Sequence, residues 1–203
     1  NSGARVYVLP CIAGHVGADA AGVVLAEAPQ KDVINTLVVD VGTNAEIVVG
    51  NSKRMLAASS PTGPAFEGAQ ISSGQRAAPG AIERIRIDKD TLEPCFRVIG
   101  VEQWSNEDGF DEAVKFTGIT GICGSGIIEV LAEMYLSGIL STDGVIDGTV
   151  AARTPRIEED GRTFAYRVAE NVVVTQNDVR AIQLAKAALH AGFRLLMDKM
   201  ELK

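Results

Sequence analysis

The fold of this chain is decided by the stretch Thr36-Leu37-Val38-Val39-Asp40-Val41-Gly42-Thr43-Asn44-Ala45-Glu46-Ile47-Val48-Val49. Apolar and β-branched residues stand on both sides of a Gly-Thr-Asn turn, a pattern that predicts two antiparallel strands joined by a hairpin. The turn residues Gly50-Asn51-Ser52 follow, and residues 54–58 are predicted as a third strand. The sequence therefore predicts an antiparallel meander of three strands.

The turn over residues 40–44, the Asp40 hairpin, carries the residue types that phosphate and metal binding require. Asp40 ends a buried apolar strand, where a carboxylate is costly unless a cation compensates its charge. Mg²⁺ does so, because it prefers one or two carboxylates together with waters and phosphate oxygens. Gly42 lets the backbone approach a phosphate, and Thr43 and Asn44 supply short donors. Asp40 is therefore the predicted metal ligand and a catalytic candidate, with Glu46 as a second carboxylate.

A second glycine-rich segment over residues 121–126, the Gly124 turn, precedes a predicted helix that ends near Gly138. Such a turn presents unpaired N–H groups and the positive end of the helix dipole, which together favour an anion. Gly124, Ser125 and Gly126 are therefore predicted to lie near a nucleotide. The segment lacks the Lys-Ser/Thr of a P-loop and the downstream acidic residue of a dinucleotide-binding fold.

Each of these motifs also has a structural interpretation. A turn in which Asp40 caps backbone N–H groups needs no ligand. The glycines of the Gly124 turn equally fit a tight packing turn between a helix and a sheet. In a predicted loop over residues 59–81, Glu67 is a catalytic candidate that would position an attacking water, and with Arg76 it equally fits a surface ion pair.

Outward from these motifs, the sequence predicts an α/β chain. Helices are predicted over residues 16–28 and from the capping box of Thr175 and Asp178 to the end of the chain. A meander of strands covered by helices is the order of a ribonuclease-H-like lobe with a mixed sheet and flanking helices, and residues 1–203 are assigned to one such lobe. The other predicted strands are residues 5–9, 81–87, 95–100, 164–168 and 172–174, and residues 153–163 are predicted as a solvated loop.

Composition narrows the functional classes. The chain carries 19 Lys and Arg against 26 Asp and Glu, and no basic patch with interleaved aromatics is present, which argues against nucleic acid. Cys11, Cys95 and Cys123 lie far apart, so neither an iron–sulfur or zinc site nor a disulfide framework is predicted within these residues. No apolar stretch has the length of a membrane span, and a reduced cytoplasmic location is expected. A start without Met and an end inside a helical pattern are expected of a piece of a larger protein.

Motifs of one family occur in order along the chain, at residues 9–19, 38–47, 63–69, 76–82, 118–126, 175–180 and 183–188. With them the chain resembles the C-terminal ATPase domain, of ASKHA type, of the reductive activators of corrinoid proteins, the RACo family. Two positions depart from the family's pattern: Ala45 stands where the family often has Gly, and Ser73 where it often has Cys. The first departure stiffens the phosphate turn.

The resemblance implies an activator that couples ATP hydrolysis to the one-electron reduction of a Co(II) corrinoid to Co(I). ATP and Mg²⁺ are the implied cofactors, a corrinoid protein of a methyl-transfer system is the implied partner, and a homodimer is suggested. The electron would enter through an N-terminal 2Fe-2S ferredoxin-like domain outside this chain. A first phosphate hairpin and an adenosine motif are also expected outside residues 1–203, which makes the Asp40 hairpin the second of two. The chain by itself is then expected to be inactive and to bind nucleotide weakly.

Two other functions fit the same residues. A small-molecule kinase of the same superfamily would need a catalytic carboxylate and a substrate pocket, neither of which the sequence identifies. A non-catalytic module would dock a corrinoid protein without hydrolysing ATP. A cluster of ferredoxin-type cysteines upstream in the full-length gene would favour the activator over the kinase.

Overall fold

The computed structural model describes residues 2–202 of the chain. The backbone forms two compact units: unit 1 comprises Asn1–Gly63 with Lys186–Lys203, and unit 2 comprises Pro64–Ala185. Unit 2 is therefore a continuous segment, whereas unit 1 is assembled from two stretches. In chain order the helices and strands are α1 (Ala18–Glu27), β1 (Thr36–Val41), β2 (Ala45–Gly50), β3 (Met55–Ser60), β4 (Ala81–Ile87), β5 (Pro94–Val98), α2 (Phe110–Val114), β6 (Gly121–Ile122), α3 (Gly124–Leu136), β7 (Ile157–Asp160), β8 (Thr163–Ala169), β9 (Val172–Thr175) and α4 (Gln176–Lys199).

Unit 1 is built on the antiparallel sheet β1–β2–β3, which confirms the predicted meander. Strand β3 continues to Ser60, so the first two residues of the predicted loop over 59–81 belong to the sheet. Ile47 of β2 and Leu196 of α4 are buried in the same apolar cluster. The helix approaches the sheet closely here, because a Cβ added to Gly192 would lie 2.6 Å from Ile47 Cδ1.

Residues 5–9 do not form the strand that their alternating pattern predicted. Val6 and Tyr7 are 89% and 82% exposed, and no strand within residues 2–202 pairs with this segment. A strand without a neighbour leaves its N–H and C=O groups unpaired, so apolar alternation alone does not produce one. Helix α1 lies within the predicted residues 16–28, and Ala28 ends it in a left-handed conformation.

Unit 2 contains the sheets β5–β4–β6 and β7–β8–β9. Strand β4 pairs antiparallel with β5 and parallel with β6, which confirms the predicted mixed sheet. Helix α3 packs against β4. The predicted hairpin of residues 164–168 and 172–174 is present as β8 and β9. The core of the unit is apolar, and the buried Tyr166 hydroxyl donates to Leu92 O at 2.9 Å.

The prediction of a solvated loop over residues 153–163 is wrong. Ile157–Asp160 form β7, which pairs antiparallel with β8. Ile157 is 6% exposed, and Glu158 of β7 forms an ion pair with Arg167 of β8. Three of the four residues of this short strand are acidic, and only Ile157 is buried. The sequence therefore resembled that of a solvated loop.

Helix α4 begins with the predicted capping box. Thr175 N–H donates to Asp178 Oδ2 at 2.8 Å, and Asp178 N–H donates to Thr175 Oγ1 at 3.2 Å. Asp178 is 2% exposed and also accepts a hydrogen bond of 2.8 Å from Ser72 N–H, so the cap holds the loop before β4 as well. Among the helices of residues 2–202, none is both long and apolar enough to span a bilayer.

Candidate functional site

The Asp40 hairpin lies in unit 1, at the end of β1 and the start of β2. Asp40 is half-buried and stands directly opposite Glu46. Glu46 in turn stands opposite Ser59 of β3, and the Ser59 hydroxyl donates to Glu46 Oε1 at 3.0 Å. Because opposed residues of antiparallel strands project to the same face, these three side chains form one polar row across the sheet.

The tip of the hairpin is held by a residue that sequence reasoning missed. The Oγ1 of Thr62 lies 2.9 Å from Gly42 O and 3.2 Å from Thr43 O, so its hydroxyl hydrogen is shared between two carbonyls. Thr62 is 6% exposed, which fixes this anchor in the interior of the unit. The Gly42 N–H closes the turn by donating to Asn44 O at 3.0 Å.

This anchor also orients the amides of the tip. In a trans peptide the C=O and the following N–H point in opposite directions. Since the carbonyls of Gly42 and Thr43 both point to Thr62, the N–H groups of Thr43 and Asn44 point to the opposite side of the turn. The side chains of Thr43 and Asn44 are exposed. Adjacent N–H groups directed to one side of an exposed turn are the arrangement that binds a phosphate oxygen.

The polar row consists of residue types that a hard cation takes as ligands. Two carboxylates directly opposite each other repel and destabilise a sheet unless a positive charge lies between them. Asp40 and Glu46 supply carboxylate oxygens and Ser59 a hydroxyl, all oxygen donors of the kind that Mg²⁺ takes together with waters and phosphate. Within residues 2–202 no group of three or more His, Cys, Asp or Glu side chains is arranged to hold a metal ion.

The Gly124 turn lies in unit 2 and leads from β6 into α3. Cys123, the N-cap residue, makes no side-chain hydrogen bond to the first helical N–H groups. A Cβ on Gly124 would lie 2.1 Å from Phe66 O, and one on Gly126 would lie 2.5 Å from Ile82 O. Both glycines are thus required because the backbone of unit 2 itself approaches closely. This is the packing turn that was the structural interpretation of the motif. Their predicted contact with a nucleotide stays a prediction.

The two remaining candidates in this region also lie in unit 2. Ser125 is exposed, and its hydroxyl donates to Glu83 O at 3.0 Å. Glu67 is exposed at the end of the 3₁₀ turn Pro64–Glu67, one residue after the carbonyl that packs on Gly124. The structure therefore brings Glu67 and the Gly124 turn together within unit 2. Within unit 1 it brings together the residues of the Asp40 hairpin.

Comparison with known proteins gives one consistent family. Residues 34–203 match the family described as the C-terminal domain of RACo, the ASKHA domain. The corrinoid activation enzyme RamQ of Eubacterium limosum is 32% identical over 216 residues, which cover 100% of this chain and 33% of that protein. A reductase of the Co(II) form of a methylated amine-specific corrinoid protein, from Methanosarcina barkeri, is 29% identical over 216 residues, which cover 97% of this chain and 39% of that protein.

A solved structure agrees with the sequence relatives. The reductive activator for a corrinoid, iron–sulfur protein superposes with a TM-score of 0.80 at 33% sequence identity, covering 98% of this chain and 30% of that one. The chain spans about one third of the length of the proteins that it matches.

Proposed function

The chain belongs to the family of RACo C-terminal ASKHA domains, and on this premise we propose that it supplies one phosphate-binding hairpin of an ATP-dependent reductive activator. The full-length protein would return a Co(II) corrinoid, held by a corrinoid protein of a methyl-transfer system, to Co(I). One electron would leave a 2Fe-2S domain outside this chain and reduce Co(II). The chain would supply part of the ATP site, and its function depends on the regions that complete that site.

The observation that carries this proposal is that Thr62 anchors the tip of the Asp40 hairpin. The hydroxyl of Thr62 fixes the carbonyls of the tip, which turns the N–H groups of Thr43 and Asn44 towards the side where a phosphate would bind. Asp40 would hold Mg²⁺ from the end of β1, with Glu46 opposite. Bound Mg²⁺ would neutralise phosphate charge, which is the chemistry that phosphoryl transfer to water requires.

The proposed electron transfer needs ATP for a physical reason. Reduction of Co(II) to Co(I) is uphill from a biological donor, so a conformational change must bias the electron transfer. Closure of domains around a nucleotide is one way to do so, provided that the nucleotide binds the two states with different affinity. Contacts of Gly124, Ser125 and Gly126 with the nucleotide, a water-positioning role for Glu67, cytoplasmic location and a homodimer belong to the same proposal.

The test uses the full-length protein with its corrinoid partner. Asp40→Ala should lower partner-stimulated ATP hydrolysis roughly a hundredfold, the usual scale for loss of an electrostatic catalytic group. Formation of Co(I), followed by its absorption spectrum, should fall with it. Asp32→Ala is the matched control, because Asp32 is an exposed aspartate of the same unit, and it should leave both rates unchanged.

Normal hydrolysis and normal Co(I) formation in Asp40→Ala would contradict the assignment of the hairpin. Normal Co(I) formation in a protein that no longer hydrolyses ATP would contradict the coupling instead. If neither the parent protein nor the variants hydrolyse ATP while all of them bind the corrinoid protein, the non-catalytic docking function is correct.

A further inference from the structure

Unit 2 contains a cavity that the proposed function does not use. Its volume is about 410 Å³, within the range of roughly 300–1,000 Å³ that small-molecule sites occupy. It lies between the turn after α3, the start of β8 and the first turns of α4. The lining residues that shape its chemistry are Ile146, Asp147, Phe164, Gln176 and two arginines, Arg162 and Arg180.

The two arginines differ from six other arginines of this unit. Arg84, Arg86, Arg97, Arg156 and Arg167 pair with carboxylates, and Arg153 donates to the carbonyls of Lys89 and Asp90. Within residues 2–202 neither the Arg162 nor the Arg180 side chain forms an ion pair or a hydrogen bond, although both are long and exposed at one cavity. Two guanidinium groups without a partner at one concave surface favour an anion.

The carboxylate that lines the cavity does not neutralise these arginines. Asp147 Oδ1 accepts hydrogen bonds from Thr149 Oγ1 at 2.7 Å and from Thr149 N–H at 2.9 Å. Those bonds hold the pKa of Asp147 below its usual value, so the carboxylate stays ionised as the cap of the 3₁₀ turn Gly148–Ala152. One negative charge against two positive charges leaves the cavity with a net positive charge.

The floor of the cavity is apolar and firmly held. A Cβ on Gly148 would lie 2.0 Å from Phe164 Cε2, so the aromatic ring lies directly on the backbone there. Ile146 beside it is 2% exposed. Both polar ends of the Gln176 side chain are used, because Oε1 accepts from Ile146 N–H at 2.9 Å and Nε2 donates to Gly144 O at 2.6 Å. The wall is therefore fixed in place.

From this combination we propose that the cavity binds a small organic anion, a carboxylate or phosphate ester with a flat apolar or aromatic body. The body would lie on Phe164, and the anionic group would accept hydrogen bonds from Arg162 and Arg180. Such a site is independent of the Asp40 hairpin, since every residue that lines it belongs to unit 2.

Phenyl phosphate is a suitable probe, because it combines an aromatic ring with a phosphate ester. Calorimetric titration of the 203-residue chain should show saturable binding at one site. Arg162→Gln and Arg180→Gln should each weaken it roughly tenfold, as loss of a charge-assisted hydrogen bond does. Inorganic phosphate, which has no ring, and benzyl alcohol, which has no charge, should each bind more weakly than phenyl phosphate.

Arg76→Gln is the matched control, because Arg76 is an exposed arginine of unit 2 without a partner among the described residues and does not line the cavity. It should bind the probe as the parent chain does, and so should Asp40→Ala, which separates this site from the hairpin. The three arginines are exposed, so thermal unfolding should show that their variants stay folded. The proposal would be overturned if the parent chain showed no saturable binding. It would also be overturned if all three arginine variants bound the probe with the same affinity, whether that affinity is unchanged or reduced.

Discussion

The Asp40 hairpin and the Gly124 turn look alike in sequence, and the structure holds them in different ways. In unit 1 the tip of the hairpin is anchored from inside by the Thr62 hydroxyl, and the side chains of Thr43 and Asn44 are exposed. In unit 2 the space that side chains at positions 124 and 126 would need is filled by the carbonyls of Phe66 and Ile82.

This difference shows how to interpret a glycine-rich turn. A missing Cβ permits close approach either of a ligand or of the protein's own backbone, and only the coordinates show which neighbour is present. A third kind of neighbour, a side chain of the protein itself, stands at Gly148, next to Asp147. Asp147 caps a turn through its carboxylate, and Gly148 makes room for the Phe164 ring.

The largest effect should come from filling the space in the Gly124 turn. Gly124→Ala places a methyl group 2.1 Å from Phe66 O, and because that carbonyl belongs to the backbone it has little room to move. The free energy of unfolding, measured by urea titration of the 203-residue chain, should fall by about 3 kcal/mol. Gly14→Ala is the control, since a Cβ there meets no heavy atom within 4 Å. If Gly124→Ala is as stable as the parent, packing does not explain this glycine.

A smaller effect should come from removing the anchor of the Asp40 hairpin. Thr62→Val keeps the shape of the side chain but loses the hydrogen bonds to Gly42 O and Thr43 O. The free energy of unfolding should fall by about 1 kcal/mol, the net value of a typical buried hydrogen bond. Thr36→Val, at a half-buried position of β1, is the control. Equal urea midpoints for Thr62→Val and Thr36→Val would show that the hairpin does not depend on this anchor.

The smallest effect should appear in acid, at the turn of Asp147 and Gly148. Hydrogen bonds from the Thr149 hydroxyl and N–H lower the pKa of Asp147 in the folded chain. Its contribution to stability is therefore present above the unfolded value of about 3.9, and it is lost as the pH falls through the lower folded value. In Asp147→Asn the decline of the melting temperature below pH 4 should be shallower than in the parent. The exposed Asp108→Asn serves as the control, and an identical decline in all three proteins would contradict this cause.

The parts of the fold that sequence could predict are those set by neighbours along the chain. The three-stranded meander follows from apolar runs that alternate with turn residues, and the capping box of Thr175 and Asp178 joins residues three positions apart. Residues 5–9 and β7 show the limit of such patterns. The first has strand-like alternation and no partner strand within the described residues, whereas the second has a charged surface and a partner in β8.

Of the candidate site, sequence could single out only the residues that are proposed to face the ligand. Asp40, Gly42, Thr43 and Asn44 are adjacent in sequence, so their chemistry could be inferred together. Thr62 could not be found, because only the path of β3 brings it back under the hairpin from 20 positions away. The contact of Phe66 O with the Gly124 turn is likewise made by the fold across unit 2.

The most direct test of the central claim is the affinity of the full-length protein for ATP in the presence of Mg²⁺. Asp40→Asn keeps the size of the side chain and removes its charge, so the dissociation constant should rise roughly tenfold or more, and chelation of Mg²⁺ should abolish the difference from the parent. Ser125→Ala, the comparison in the Gly124 turn, should have the smaller effect. The account is contradicted if Asp40→Asn binds ATP with Mg²⁺ as tightly as the parent while Ser125→Ala loses affinity.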